Sequence, residues 1–136
     1  MSKIEWDDSF SVNNIEIDNQ HKQWIAIYNK MYEGLIAADC NAYQDTAVEV
    51  LEAMLDYTRK HFAFEEEYMR EIGYPDVMKH YRIHKDFDTQ IYSYSRDLRE
   101  GKVVLNSQIL KLIENWLLDH ILIEDKKYAL QQNNNS

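Results

Sequence analysis

From Asn19 onward the apolar side chains recur every three or four residues, which is the period of an α-helix and not of a strand. His21, Trp24, Ile25, Tyr28, Tyr32 and Leu35 mark a first amphipathic helix reaching about Ala38, with Asp18 expected as its N-cap. A DCN turn then predicts a break, and a second helix is expected from about Ala42 to Ile72. Its stripe runs through Val48, Leu51, Leu55, Thr58, Phe62, Glu65, Met69 and Ile72, flanked by Met54 and His61. Gly73 stands where a left-handed residue would end that helix, and Pro75 suits the first turn of the next. A third helix follows from about Asp76 to Glu100, its stripe being Val77, His80, His84, Phe87, Ile91, Tyr94 and Leu98, and Gly101 closes it. The fourth begins near Ser107 and carries Ile109, Leu112, Ile113, Trp116, Leu117 and His120 before the chain turns to QQNNNS.

Four amphipathic helices joined by short connections predict an all-α protein, an up-down-up-down antiparallel four-helix bundle over residues 19–131. Residues 1–18 lack a clear period and are expected to form an irregular N-terminal arm whose Trp6, Phe10 and Val12 pack onto the body. Residues 132–136 are polar enough to be expected as a disordered tail. With 136 residues the chain accommodates one domain and one core.

Charge narrows the partners. A formal net charge of −9, with no block of Lys or Arg to offset it, disfavours nucleic acid and anionic membrane surfaces. The opening MSKIEWDDSF has neither a basic start nor an apolar run, and no stretch approaches the roughly 20 apolar residues of a membrane span, so no signal peptide and no membrane insertion are expected and a cytoplasmic location is. The single cysteine, Cys40, excludes an internal disulfide and is given no role.

The histidines change the picture. The sequence has five, and every one falls on an apolar stripe. His61 and Glu65, and again His80 and His84, are four apart, so each pair presents two donor atoms on one helical face. With alternate helices reversed, the level of each along its helix brings all five to the same end of the bundle. Imidazoles buried together without partners are costly, because each carries two polar nitrogens. A shared cation removes that cost, and imidazole with carboxylate suits iron, zinc, manganese or copper better than calcium or magnesium. Glu65 belongs to the inward stripe, whereas Glu66 and Glu67 read as solvated. The second carboxylate is less clear. Asp125 follows His120 by five residues, about 140° around a regular helix, and Glu124, at a spacing of four, is its rival on periodicity.

The segments IDNQHK (17–22), HFAFEEEYM (61–69), HYRIH (80–84) with Phe87 following, and WLLDHILIED (116–125) resemble the hemerythrin family in its bacterial single-domain form. The resemblance runs from the Trp6 arm to Tyr128. It implies a non-haem centre of two iron ions joined by an oxo or hydroxo bridge, with O2 as a reversible ligand. By the same resemblance His80, His84 and His120 would bind one iron, His21 and His61 the other, and Glu65 and Asp125 would bridge them. That selects Asp125 over Glu124 and requires the last helix to be locally distorted, or the carboxylate to reach the pair from its edge. Trp24, Phe62, Trp116, Leu117 and Ile121 are expected to wall the O2 pocket, and Tyr68, Tyr74 and Tyr81 to lie near the ligands as hydrogen-bond donors. The implied function is oxygen storage, transport or delivery without catalysis, the partners being O2 and an oxygen-accepting protein. The alternatives are a di-iron oxidoreductase acting on peroxide, nitric oxide or ferrous iron, and an O2 or redox sensor.

Overall fold

The structure, a computed structural model, describes the backbone of residues 3–37 and 40–134 and the side chains of residues 3–35 and 47–130. Helix α1 spans Ile15–Ala37, α2 Cys40–Glu71, α3 Val77–Arg99 and α4 Ser107–Asp119; one π-helical turn, His120–Glu124, continues α4 into α5, Asp125–Asn134. No strand occurs among the described residues. Helix α1 packs on α2 and on α4, and α2 on α3, which is the expected four-helix bundle with its last member built from α4, the π turn and α5. None of the described helices is long and apolar enough to cross a membrane.

The stripes read from the sequence point inward. Trp24, Tyr28, Leu51, Met54, Phe87, Ile91, Ile113 and Leu117 are buried in one apolar cluster that fills most of the bundle. A smaller cluster, made of Val12, Ile17, Met69, Tyr74, Tyr128 and Ala129, draws on the arm, the start of α1, the end of α2, the α2–α3 turn and α5. Glu114 is a buried acid that periodicity did not single out, and Tyr28 donates its hydroxyl proton to Glu114 Oε2 at 2.8 Å across the bundle. Burial, reinforced by that carboxylate, pushes the Tyr28 hydroxyl far above its ordinary pKa.

The first helix starts four residues before the sequence pattern suggests. Asn14, not Asp18, caps it, Asn14 Oδ1 accepting from the Ile17 backbone N–H at 3.1 Å. Asp18 lies inside the helix and holds the arm instead. Its two oxygens accept from Ser11 Oγ–H at 2.6 Å and from the Val12 N–H at 2.9 Å. Further along the arm, Asn29 exchanges two hydrogen bonds with the Ile4 backbone, each 2.8 Å, and Trp6 meets Phe10 edge to face. Phe10 and Val12 are buried, as expected, and Trp6 packs partly buried against the main cluster.

At the other connections the turn chemistry decides. Gly73 has φ +69°, and the Gly73 and Tyr74 N–H groups return to the Arg70 and Met69 carbonyls at 3.1 and 2.9 Å, closing α2 in a Schellman motif. Gly101 repeats the arrangement at the end of α3 with φ +73°. Pro75 lies in the turn before α3 and not in its first turn. Helix α2 already begins at Cys40, within the expected DCN turn; the Cys40 side chain, like residues 38 and 39, lies outside the described residues. Helical backbone continues to Asn134, into the segment expected to be disordered, and residues 135 and 136 are outside the described residues. Gly73→Ala meets no steric neighbour but forces an L-residue into the left-handed region, so a loss of about 1–2 kcal/mol is expected in urea denaturation; an unchanged midpoint would contradict it.

Candidate metal centre

Every bundle helix delivers a donor to one buried spot between the two apolar clusters. His21 comes from α1, His61 and Glu65 from α2, His80 and His84 from α3, His120 from the end of α4 and Asp125 from the start of α5. All seven are at most 2% exposed. Their donor atoms fall into two groups able to hold a metal ion: Glu65, His80, His84, His120 and Asp125 in one, His21, His61, Glu65 and Asp125 in the other.

The two shared carboxylates divide their oxygens between the groups. Glu65 turns Oε1 to His80 Nε2 at 2.9 Å and His84 Nε2 at 3.2 Å, and Oε2 to His61 Nε2 at 3.0 Å and His21 Nε2 at 3.5 Å. Asp125 does the same, Oδ1 lying 3.0 Å from both His80 and His120 Nε2, and Oδ2 3.0 Å from His21 Nε2.

The π turn is what brings Asp125 into this set. In a regular helix a residue five on from His120 points well away from it; with the Asp125 N–H bonded back to the His120 carbonyl, five residues complete one turn and the two side chains face the same way. Glu124 is left outside, where Lys127 donates to both its oxygens at 3.2 Å. The distortion needed to favour Asp125 over its rival is therefore present.

A cation fits these residues on the polar atoms that the protein leaves over. His21 Nε2, His61 Nε2, Glu65 Oε2 and both oxygens of Asp125 are buried and make no well-directed hydrogen bond among the described residues, although His21 Nε2 lies 3.0 Å from Asp125 Oδ2 and 3.5 Å from Glu65 Oε2, and His61 Nε2 3.0 Å from Glu65 Oε2. His84 Nε2 and His80 Nε2 each come within 3.0 and 3.2 Å of His120 Nε2, three ring nitrogens converging on one point. Buried groups crowded in this way require a positive charge in their midst. The same demand appears in the proton affinities. Burial pulls His21 and His80 down, but the hydrogen bonds and charges of Asp125 and Glu65 outweigh it and raise them to about 9 and about 10. Burial would raise Glu65 and Asp125, yet the surrounding histidines hold both carboxyls below the ordinary range. At His61 burial dominates and the pKa falls, despite Glu65 at 3.0 Å.

Two contacts behind the cluster were not legible in the sequence. His61 Nδ1–H donates to Gln20 Oε1 at 2.7 Å, and His84 Nδ1–H donates to Glu66 Oε2 at 2.8 Å. Glu66 is thus a partner of His84, only 12% exposed, and not the solvated acid that its place in the EEE run suggests. Each bond fixes the ring tautomer and leaves Nε2 with its lone pair toward the cluster. Tyr128 was also missed as a neighbour. It is fully buried 6.0 Å from the His80 ring, with Tyr68 and Tyr74 packed edge-on against it; Tyr81 lines a surface cavity beside His84.

The five aromatic and aliphatic residues expected around an O2 pocket all join the main apolar cluster, Trp116 as a partly buried member. They are not equivalent. Phe62 stacks on the His84 ring at 3.7 Å and Trp116 on the His120 ring at 4.4 Å, whereas Trp24 lies 5.1 Å from His61 and 6.3 Å from His21. Leu117 and Ile121 are buried in the same cluster.

The chain matches the family model of the hemerythrin HHE cation binding domain over residues 14–130. It is 31% identical over 131 residues to a bacteriohemerythrin of Stenotrophomonas maltophilia, covering 96% of this chain and 82% of that one. The similarity to a hemerythrin-like protein of Naegleria gruberi is 31% over 127 residues, with 93% and 92% covered. A crystal structure of wild-type hemerythrin superposes with a TM-score of 0.86 at 25% identity, over 94% of this chain and 96% of that one.

Proposed function

The chain belongs to the hemerythrin family, and from that premise we propose that it binds O2 reversibly at a pair of iron ions held by His21, His61, Glu65, His80, His84, His120 and Asp125. The reading is carried by one observation: both buried carboxylates turn one oxygen to each of two histidine groups, as bridges between two cations would. Held there, two ferrous ions would supply the electrons that O2 takes up on binding and gives back on release.

The protein contributes an unequal set of donors. Three imidazoles face one position and two the other, so the His21–His61 side has one protein ligand fewer and is the side proposed to receive O2. The two carboxylates would offset half of the charge that two dications bring, which lowers the cost of holding them among donors that are at most 2% exposed. Trp24, Phe62, Trp116, Leu117 and Ile121 keep water away, and exclusion of water and protons favours release of O2 over its reduction. The indole N–H of Trp24 is turned away from the cluster, donating to Thr58 Oγ1 at 3.0 Å and contacting Met54 Sδ at 3.1 Å, so this ring presents no donor to bound O2. Oxygen storage, transport or delivery follows from such binding without turnover.

The test is the visible spectrum of the reduced, iron-loaded protein taken without oxygen, in air, and after oxygen is removed. Charge-transfer bands that come and go over several cycles are expected. Bands that appear once and persist would overturn reversible binding in favour of a redox enzyme or sensor.

A further inference from the structure

Of the five histidines, two are held from behind by side chains, and the two holders differ in charge. Glu66, a carboxylate, accepts from His84 on the three-histidine side; Gln20, a neutral amide, accepts from His61 on the two-histidine side. The Nδ1 atoms of His21, His80 and His120 have no hydrogen-bond partner among the described residues. The two bonds are similar in length, 2.8 and 2.7 Å, so the contrast between them is one of charge and not of reach.

A carboxylate behind an imidazole draws its Nδ1 proton and makes Nε2 a stronger donor, which favours the more highly charged metal ion; an amide orients the ring with little of that effect. We propose that Glu66 is a positioning residue that, acting through His84, lowers the reduction potential of the iron on the His80–His84–His120 side, while Gln20 leaves the iron at His21 and His61 easier to keep ferrous. The protein thereby grades its two irons from behind the ligands. This inference rests on the reading of the cluster as a pair of iron sites. Glu66 borders a surface cavity of about 140 Å³ that it shares with Arg59, Tyr81, Lys85, Asp88 and His84 itself, so the charge behind that ring sits at the edge of the protein and not among the buried donors.

The measurement is a mediated redox titration of the iron-loaded protein without oxygen, each step adding one electron from the mediator dye to one ferric ion to give ferrous. Glu66→Gln retains an oxygen that can accept from His84 and removes the charge. Its lower midpoint is expected to rise by roughly tenfold in the ferric-to-ferrous ratio, about 59 mV for one electron, with iron content kept. Gln20→Glu makes the opposite change and should lower the upper midpoint; it carries the test even where Glu66→Gln holds less iron. If Glu66→Gln leaves both midpoints unchanged while Glu66→Ala moves them, Glu66 merely orients the ring and the proposal falls. It falls equally if Glu66→Gln and Gln20→Glu shift in the same direction. Iron-loaded wild-type protein that fails to release O2 would overturn the oxygen-carrying reading alone, because these potentials are taken without O2.

Discussion

Asp125→Ala is expected to lose most of its iron, while Glu124→Ala loads like the wild type. The two residues are neighbours and both acidic, so composition and net charge change equally in the two variants. They differ in direction. Asp125 is wholly buried with an oxygen turned to each histidine group, and Glu124 is half-buried and engaged by Lys127. Removing Asp125 takes away one of two buried anions that offset the charge of the cations, and one of the two groups able to link them. The loss of affinity should exceed the about 10–100-fold typical of altering a group that stands behind a ligand. Iron per chain, measured after loading and desalting, with helicity followed by circular dichroism, reads the result. Equal losses in both variants, or full iron in Asp125→Ala, would mean that the π turn does not serve the metal.

Trp24→Ala is expected to cost about 3–5 kcal/mol in chemical denaturation of the metal-free protein, a large share of the about 5–15 kcal/mol available to a domain. Trp24 is fully buried at the centre of the bundle, with Phe62, Phe87 and Trp116 edge-on at 5.5, 6.0 and 5.9 Å. Its removal leaves a void ringed by aromatic side chains and takes the N–H donor from the buried Thr58 hydroxyl. Trp24→Phe restores most of the volume but not that donor, and should fall between the two. A cost under about 1 kcal/mol for the alanine variant would show that the surrounding rings collapse into the space.

What the sequence conveyed depended on how regular the helix is around each residue. His21, His61, Glu65, His80 and His84 lie on uninterrupted α-helix, where a spacing of three or four maps directly onto one face. Their convergence was legible from periodicity and level alone. Asp125 was not, because periodicity assumes about 100° per residue and the chain from His120 to Glu124 turns through less than that at each residue. Only the family resemblance selected it. The exchange of roles between Asn14 and Asp18 has a similar origin: both are good caps by type, and the choice was made by Ser11 and Val12, which claim the Asp18 carboxylate from outside the helix. Glu66 and Gln20 were illegible for another reason. Each meets its histidine from the next helix, 18 and 41 residues away, at the edge of a stripe where solvent and neighbour are equally consistent with the pattern. The buried acid Glu114 belongs with these, since its partner Tyr28 is 86 residues distant.

The smaller apolar cluster closes one side of the metal centre with pieces of chain from both ends, Val12 and Ile17 from the first part and Tyr128 and Ala129 from the last, joined by Met69 and Tyr74 at the α2–α3 turn. Regions with few buried apolar contacts open locally at lower free energy than the middle of a bundle. The centre is therefore closed by two seals of unequal thickness, one shared with the main core and one of six buried residues. Bulk water or a chelator coming through the smaller cluster has far less apolar packing to part before it reaches His80 than one coming through the main core.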